Sequence, residues 1–373
     1  YEICACLVGS EMCIRDRYVD SRRLEITCGE APYIVSRYDT STGEIIPIER
    51  RIGILDRKLR VVNENAADEA EWLKWAFRAF QSVYGYEYQG DNLLIARMNL
   101  LYTLADYIEA KWDRQATQKE LAKFLNVICW NFWQMDGMND TLPYGIPHDD
   151  NVQLSLFGNE EPIEDKTVYC KIYDWRADNS KLFKSLKKRG KGMKFDYVIG
   201  NPPYMKISKD APEATAMPEV CYGAPNLYFI FASMGLFNLC ESGELVYIIP
   251  RSWTSGAYFK RFREYFLTEG KLEHIHLFVS RNKVFDKESV LQETIIIKVK
   301  KTSEKPETVT ITSSKSNSDF GELTSLTVPY DLAVAGSDYY VYLVTDENEV
   351  EVLKKLHKFD KTLPAIGVKM KTG

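Results

Sequence analysis

The sequence predicts an α/β fold in which a mostly parallel central sheet carries helices on both faces, and three observations carry that expectation. Apolar runs with no polar face, Phe195–Gly200 and Glu244–Pro250, read as strands buried on both sides. Segments with helical spacing alternate with them, notably Glu69–Gln81, Asn92–Ile108 and Asn226–Cys240. At 373 residues, 45% hydrophobic and 27% charged, the chain has the composition of an ordinary globular protein and the length for a large core.

Taken in order, Leu24–Thr27 reads as a first short strand that ends in a tight turn at Cys28-Gly29. The stretch that follows, to about Asn65, is polar and reads as irregular, part of an insertion over residues 36–68. Glu69–Gln81 is predicted helical from the spacing of Trp72, Trp75, Ala76 and Ala79, Val83–Tyr88 as a strand, and Asn92–Ile108 as a strongly periodic helix. Leu121–Trp133 fits either helix or strand, and residues 139–166 form a second loop-like insertion with three prolines over Asp140–Asp165. Thr167–Tyr173 alternates, Tyr258–Leu267 has helical spacing, and His274–Val279 with Thr294–Lys300 reads as a late pair of strands. Residues 303–373, rich at first in Thr, Ser and Lys, read as an irregular extension of a catalytic domain spanning 18–302. In a parallel sheet of this kind the functional site is expected at the carboxyl ends of the strands.

Composition narrows the function. No stretch approaches the roughly 18 apolar residues of a membrane span, so a cytoplasmic protein is expected. The eight cysteines form no C-x-x-C pair and the four histidines are scattered, so no zinc-ligand spacing or disulfide framework is visible. A net charge of −5 opposes wholesale coating of nucleic acid, and any phosphate contact must be local. The basic run from Lys181 to Lys194 is the best candidate for one. Residues 1–17 resemble the conceptual translation of sequencing-adapter DNA and lack the pattern of an export signal. The chain stops at Lys371-Thr372-Gly373 with nothing that reads as a finished tail, so a fragment is expected.

One motif carries chemistry. The strand Phe195–Gly200 runs straight into Asn201-Pro202-Pro203-Tyr204. Each proline lacks an N–H and fixes its own φ, and each pushes the preceding residue into extended backbone. Asn201 and Pro202 therefore present acceptor oxygens in fixed directions, which suits an exocyclic amine. Such an amine is a poor nucleophile because its lone pair is delocalised into the ring. Accepting both of its hydrogens favours tetrahedral nitrogen and frees the lone pair, which is catalysis by orientation and preorganised dipoles. Tyr204 offers a ring for stacking a planar base, an interaction that contributes about 1 to 3 kcal/mol per base. The same four residues are also ordinary loop punctuation.

With its preceding strand, this loop resembles that of the amino-methyltransferases bearing N-P-P-Y/F, and within them the TaqI-like (gamma-type) adenine-N6 DNA methyltransferases of type II restriction-modification systems. The resemblance spans roughly residues 20–300. It implies a Rossmann-like S-adenosylmethionine-dependent methyltransferase fold, S-adenosylmethionine as cofactor, double-stranded DNA as partner, and transfer of a methyl group to the N6 amine of a flipped adenine. It also implies site residues. Glu25-Ile26-Thr27-Cys28-Gly29-Glu30-Ala31 stands where the family has an acidic residue followed by C-G-x-G, with Ala31 in place of the last glycine, so Glu25, Cys28 and Gly29 would meet the cofactor. Tyr84-Gly85-Tyr86-Glu87 followed by Ala96-Arg97-Met98-Asn99-Leu100 matches the second motif, which makes Glu87 the ribose ligand. Gln134-Met135-Asp136-Gly137-Met138 matches the third, with Asp136 at the cofactor adenine and Asp174 as its rival. Val284-Phe285 falls where the family sets a second aromatic against the flipped base. Asn226-Leu227-Tyr228 and Gly243–Pro250 resemble scaffold.

Two other readings remain open at this level: an N-P-P-Y enzyme acting on protein glutamine or ribosomal RNA, and a decayed nucleic-acid-binding subunit, favoured by the altered first motif. Relatives of this kind often work with a fused or separate restriction endonuclease. No convincing nuclease carboxylate cluster is visible. Lys361–Gly373 reads as the entrance to a target-recognition domain most of which the chain lacks.

Overall fold

A computed structural model describes residues 17–143, 168–187, 193–222, 225–278, 293–314, 323–359 and 366–368. The adapter-like residues up to 16, most of the second insertion and Phe285 lie outside the described residues. The chain divides into two compact units, residues 1–201 with 237–240, and residues 202–236 with 241–373.

The first unit is built on four parallel strands. β1 (Arg23–Ile26) lies between β2 (Val83–Glu87) and β6 (Phe195–Gly200), and β3 (Phe132–Gln134) lies outside β2. Register places Ile26 beside Tyr86 and Gly200, and Glu87 beside Gln134, so all four carboxyl ends share one edge. Between β1 and β3 run the α-helices α1 (Ile54–Asn65), α2 (Glu69–Gln81), α3 (Gly90–Trp112) and α4 (Gln118–Asn131). Their apolar residues, among them Leu55, Leu59, Trp72, Leu100 and Phe124, join Val83 and Phe132 in one buried cluster. On the opposite face Tyr84 packs edge-on against Phe195 and Tyr86 against Phe183. A hairpin of β4 (Lys171–Asp174) and β5 (Asn179–Leu182) completes this unit.

Local chemistry explains the helix starts. The Asp68 side chain accepts from the Glu71 amide and caps α2, and Thr117 with Glu120 forms a reciprocal capping box at α4. That box settles the ambiguous Leu121–Trp133 segment, which is helix to Asn131 and strand only from Phe132.

Helix α1 corrects the expectation of irregular structure up to Asn65. Its buried face includes Asp56 and Lys58, which interrupt the apolar stripe that marks a helix in sequence. Both find tertiary partners, Asp56 through one of its two carboxylate oxygens. Lys58 Nζ donates to the carbonyls of Val19 and Ser21 at 2.8 and 2.5 Å and to Ser82 Oγ at 2.5 Å. Asp56 Oδ2 accepts from the Ser36 amide at 2.8 Å. The helix also starts at Gly53, which offers no side-chain cap.

The second unit contains α5 (Leu227–Asn238) as far as Leu236 and β7 (Leu239–Pro250) from Glu241, then α6 (Lys260–Glu269), β8 (Lys271–Phe278), β9 (Thr294–Lys300), β10 (Thr308–Ser314) and β11 (Thr324–Pro329). The strand order is β11-β10-β8-β9-β7, with β10 parallel to β8, and β9 antiparallel to both its neighbours. The segment from 303 onward is therefore not an irregular extension. Its Thr and Ser side chains conceal a strand because their hydroxyls are spent on β8: Thr312 Oγ1 bonds His274 at 2.8 Å and His276 at 2.9 Å, and Ser314 Oγ bonds His276 at 3.1 Å. Farther along, α7 (Glu347–Leu356) is capped by Asp346. No helix among the described residues is long and apolar enough to cross a membrane.

Arg263 ties this unit together. It is fully buried on α6, and its guanidinium donates to the carbonyls of Trp253, Gly256 and Asp338, each at 2.8 Å. Arg263→Leu should destabilise the protein by about 3 kcal/mol, since it strands one buried and two part-buried acceptors. Lys260→Ala, which removes only solvent-accessible ion pairs with Asp338 and Glu264, should leave the calorimetric unfolding midpoint where it is.

Candidate cofactor and catalytic site

The edge where β1, β2, β3 and β6 end is shaped by unusual backbone. Of the five residues after β1, three lie in the left-handed region: Thr27 (φ 55°), Gly29 (φ 53°) and Ala31 (φ 63°). A β-branched residue there is a true outlier, so Thr27 is held by its surroundings. The loop is docked onto β2 by the Cys28 amide, which donates to Tyr86 O at 3.0 Å, and closed on itself by the Ala31 amide, which donates to Cys28 O at 2.7 Å. An added Cβ at Gly29 would meet nothing within 4 Å, so this side of the loop is open.

Glu87 ends β2 and is 7% exposed. Its Oε2 accepts from the Gly29 amide at 2.8 Å and its Oε1 from the amide of Gln89, the residue that caps α3, at 3.0 Å. Each oxygen keeps acceptor capacity for a hydroxyl. Glu25, on the same face of the sheet, is 2% exposed, and among the described residues its Oε2 has no hydrogen-bond partner. Burial pushes its carboxyl well above the usual carboxylate range, and the nearby Glu87 adds to that. Cys28 is buried too, and its thiol is pushed up first by burial and then by Glu25 and Glu87, so it is a packed thiol whose main chain shapes the loop.

The two candidates for the cofactor adenine fall at opposite edges. Asp136 lies two residues past β3, just after Met135, whose amide donates to Glu87 O at 2.9 Å. Its carboxylate organises a turn, accepting from the Met138 amide at 2.9 Å and Asn139 Nδ2 at 2.7 Å. Asp174 is bound to Arg22 at 2.5 Å and Lys181 at 2.9 Å. Arg22 precedes β1, so Asp174 sits at the amino edge, away from the other site residues. Asp174 is nearer than Asp136 to the N-P-P-Y loop in sequence, yet it lies at the edge opposite the one where that loop begins.

The sequence places Arg97 and Asn99 in the second motif without giving either a role, and Tyr38 and Tyr33 carry no recognisable signal. Asn99 Nδ2 donates to Glu30 O at 3.1 Å and to Tyr38 Oη at 3.2 Å, and Tyr38 donates to the Glu30 carboxylate, so α3 holds the loop from behind. Arg97 donates to Phe132 O at 2.9 and 2.7 Å and braces the start of β3. Tyr33 is pushed up to about 12 by burial and by Glu25.

At the end of β6, Asn201 is exposed and Pro202 buried. Thr27 Oγ1 donates to Ile26 O at 2.6 Å and approaches Asn201 O at 3.4 Å, so the strained residue of the first loop adjoins the catalytic candidate. In the second unit the Tyr204 hydroxyl donates to Ile248 O at 3.1 Å, and its ring stands edge-on to Tyr228. Three described cations of the basic run are committed to packing. Lys181 pairs with Asp174, Lys184 stands over the Tyr169 ring, and Lys194 donates to Leu186 O at 3.1 Å. Lys188, Arg189 and Lys191 lie outside the described residues.

The residues at this edge fit a nucleoside cofactor with a charged amino-acid end: a glycine loop open on one side, a carboxylate with spare acceptors at the end of β2, and a buried acid beside it. Parallel strands ending in such a loop and carboxylate define the class of S-adenosylmethionine-dependent methyltransferases. Residues 81–285, more than half of the chain, match the family described as the Eco57I restriction-modification methylase, and the chain belongs to that family. Its cofactor is S-adenosylmethionine. The chain is 36% identical over 182 residues to the type II methyltransferase M.PstI of Providencia stuartii, covering 48% of this chain and 36% of that protein. It is 30% identical over 221 residues to M.BsuBI of Bacillus subtilis, covering 59% and 44% respectively. The chain thus spans less than half the length of either relative. The solved structure of the ATP-dependent type ISP restriction-modification enzyme LlaBIII bound to DNA is similar at a TM-score of 0.48 and 12% identity, over 93% of this chain and 23% of that one.

If the two edges are assigned correctly, Asp174→Asn should lower the unfolding temperature and leave S-adenosylmethionine affinity unchanged in calorimetric titration. Gly29→Ala should instead weaken binding at least tenfold, alongside a cost of about 1 kcal/mol of stability for a left-handed alanine. Loss of affinity in Asp174→Asn would move the adenine site to the other edge.

Proposed function

We propose that this chain is the catalytic part of a site-specific DNA methyltransferase that transfers a methyl group from S-adenosylmethionine to the N6 amine of adenine, as the modification arm of a restriction-modification system. The observation that carries the reading is that β6 ends directly in Asn201-Pro202-Pro203-Tyr204 while Asn201 adjoins the loop after β1. Gly29 and Glu25 would receive the methionine end of the cofactor, Glu87 the ribose hydroxyls, and the turn built by Asp136 the adenine.

When bound, the cofactor supplies an electrophilic methyl on a sulfonium. The side-chain oxygen of Asn201 and the carbonyl of Pro202 accept the two hydrogens of the adenine amine. Proline supplies no competing N–H here and holds the preceding residue extended. This favours tetrahedral nitrogen and directs its lone pair, with no strong base required. The Tyr204 hydroxyl is occupied by Ile248, which fixes the ring as a stacking surface. A paired adenine must leave the duplex to reach such a loop, so base flipping belongs to the proposal. Double-stranded DNA is the proposed partner, with a restriction endonuclease fused or separate.

Asn201→Ala should abolish transfer of labelled methyl groups to DNA while leaving cofactor affinity intact. Tyr204→Ala should cost about tenfold to a hundredfold in turnover, the equivalent of one stacked base, and Tyr204→Phe much less. Turnover retained by Asn201→Ala would remove the amine-acceptor mechanism, and equal losses at Tyr204 would assign the role to its hydroxyl.

A further inference from the structure

We propose that Glu25 carries a proton in the free protein and surrenders it to solvent when the cationic methionine end of S-adenosylmethionine enters, so that each cofactor bound releases one proton. This rests on the reading of the β1–β2 edge as the cofactor site.

The argument begins with two carboxyl groups on one face of one sheet that are treated differently. Glu87 receives two backbone amides, from Gly29 and Gln89. Glu25 receives none at Oε2 and is 2% exposed. Its strand neighbours in register are Gly85 and Ile199, neither of which can donate from a side chain. The titratable groups that face it are Glu87 from β2 and Tyr33 and Cys28 from the following loop. Arg97 on α3 is felt at Cys28. Of these only Arg97 is cationic, and its guanidinium is spent on Phe132 O. A buried carboxylate beside a second one, with no donor of its own, is more stable as the acid. Burial and Glu87 both raise its affinity for the proton, in agreement with that geometry.

A cofactor whose methionine end carries an ammonium and a sulfonium against one carboxylate, a net charge of +1, reverses the balance when a cationic group faces Glu25. An opposite charge in a low-dielectric site favours the ionised acid, and Glu25 then becomes a counter-ion. The proton leaves as Glu25 ionises and passes to buffer, so charge is conserved. The sign follows from linkage. Because the ionised form is the one that binds, affinity rises with pH for as long as free Glu25 is protonated, by about tenfold per pH unit for one proton, and levels off above that range.

The test is isothermal titration of the full chain with S-adenosylmethionine in phosphate and in bis-Tris, which both buffer at the chosen pH of about 6.5, below the usual range of an α-amino group. The difference in observed enthalpy between the buffers counts protons, and release of about one is expected. 5′-Methylthioadenosine, which keeps adenine and ribose but lacks both cations, should bind without release. Glu25→Gln should bind S-adenosylmethionine with no proton released. Binding of S-adenosylmethionine with equal enthalpies in the two buffers, or undiminished release in Glu25→Gln, overturns the proposal while leaving the cofactor site in place. Failure of the parent chain to bind either ligand overturns the site and the proposal together. Should Glu25→Gln not fold, the parent's affinity decides between about pH 6 and pH 7: a tenfold rise supports the inference, and a flat profile overturns it.

Discussion

The hydrogen bond from the Gly29 amide to the Glu87 carboxylate is the constraint on which the rest of the site depends. It joins the carboxyl ends of β1 and β2, and it forms because the chain after β1 turns through left-handed backbone that aims an amide at the neighbouring strand. The first motif of the wider group is written with glycines for this reason, and here only Gly29 survives. The backbone shape nevertheless persists. Ala31 occupies the left-handed region at φ 63°, a conformation that costs an L-residue about 1 to 2 kcal/mol and that glycine adopts freely. The Ala31 amide still closes the loop on Cys28 O. The altered letters suggest decay of cofactor binding; the geometry argues that the cradle is kept and that its strain is carried by surrounding contacts, among them Asn99 to Glu30 O.

What was legible in the sequence is what periodicity encodes. The bounds of α2 and β6 can be read to the residue, and β2 to within one, because their apolar positions follow one period and their neighbours do not. The losses have a common cause. In α1, Asp56 and Lys58 are buried with partners that are distant in sequence, so a core face reads as surface. In β10, Thr312, Ser313 and Ser314 are buried because histidines across the parallel pair and Thr324 across the antiparallel one use their hydroxyls, so a strand reads as linker. Pattern assigns polarity to exposure, and it fails wherever tertiary hydrogen bonds make a polar side chain cheap to bury.

The candidate site divides along the same line. Asn201-Pro202-Pro203-Tyr204 and Glu87 are local motifs, readable because each closes a strand. The choice between Asp136 and Asp174 is not local, since it depends on which end of the sheet a segment reaches. Asp174 follows its own hairpin back to Arg22 at the amino edge. Thr27 could not be found from its letter at all. Only its φ shows that a β-branched residue is held against its preference beside Asn201.

Electrostatics then separates two tasks. At the carboxyl edge two buried acids stand together, a setting that suits a cofactor bearing positive charge and repels phosphate. At the amino edge Arg22, Arg78 and Arg176 line a cavity of about 150 Å3, but Arg22 is paired with Asp174, Arg78 with Asp20, and Arg176 donates to Asp20 O at 2.6 Å. Lys181, Lys184 and Lys194 are likewise engaged. The cations named here in the first unit therefore serve the fold. Phosphate affinity grows with the number of cations that exchange counter-ions for phosphates, and a cation already held by a carboxylate contributes little to it. On the proposed function, the first unit holds the cofactor and presents Asn201, and these engaged cations add little to the grip on DNA that offsets the few kcal/mol of base flipping.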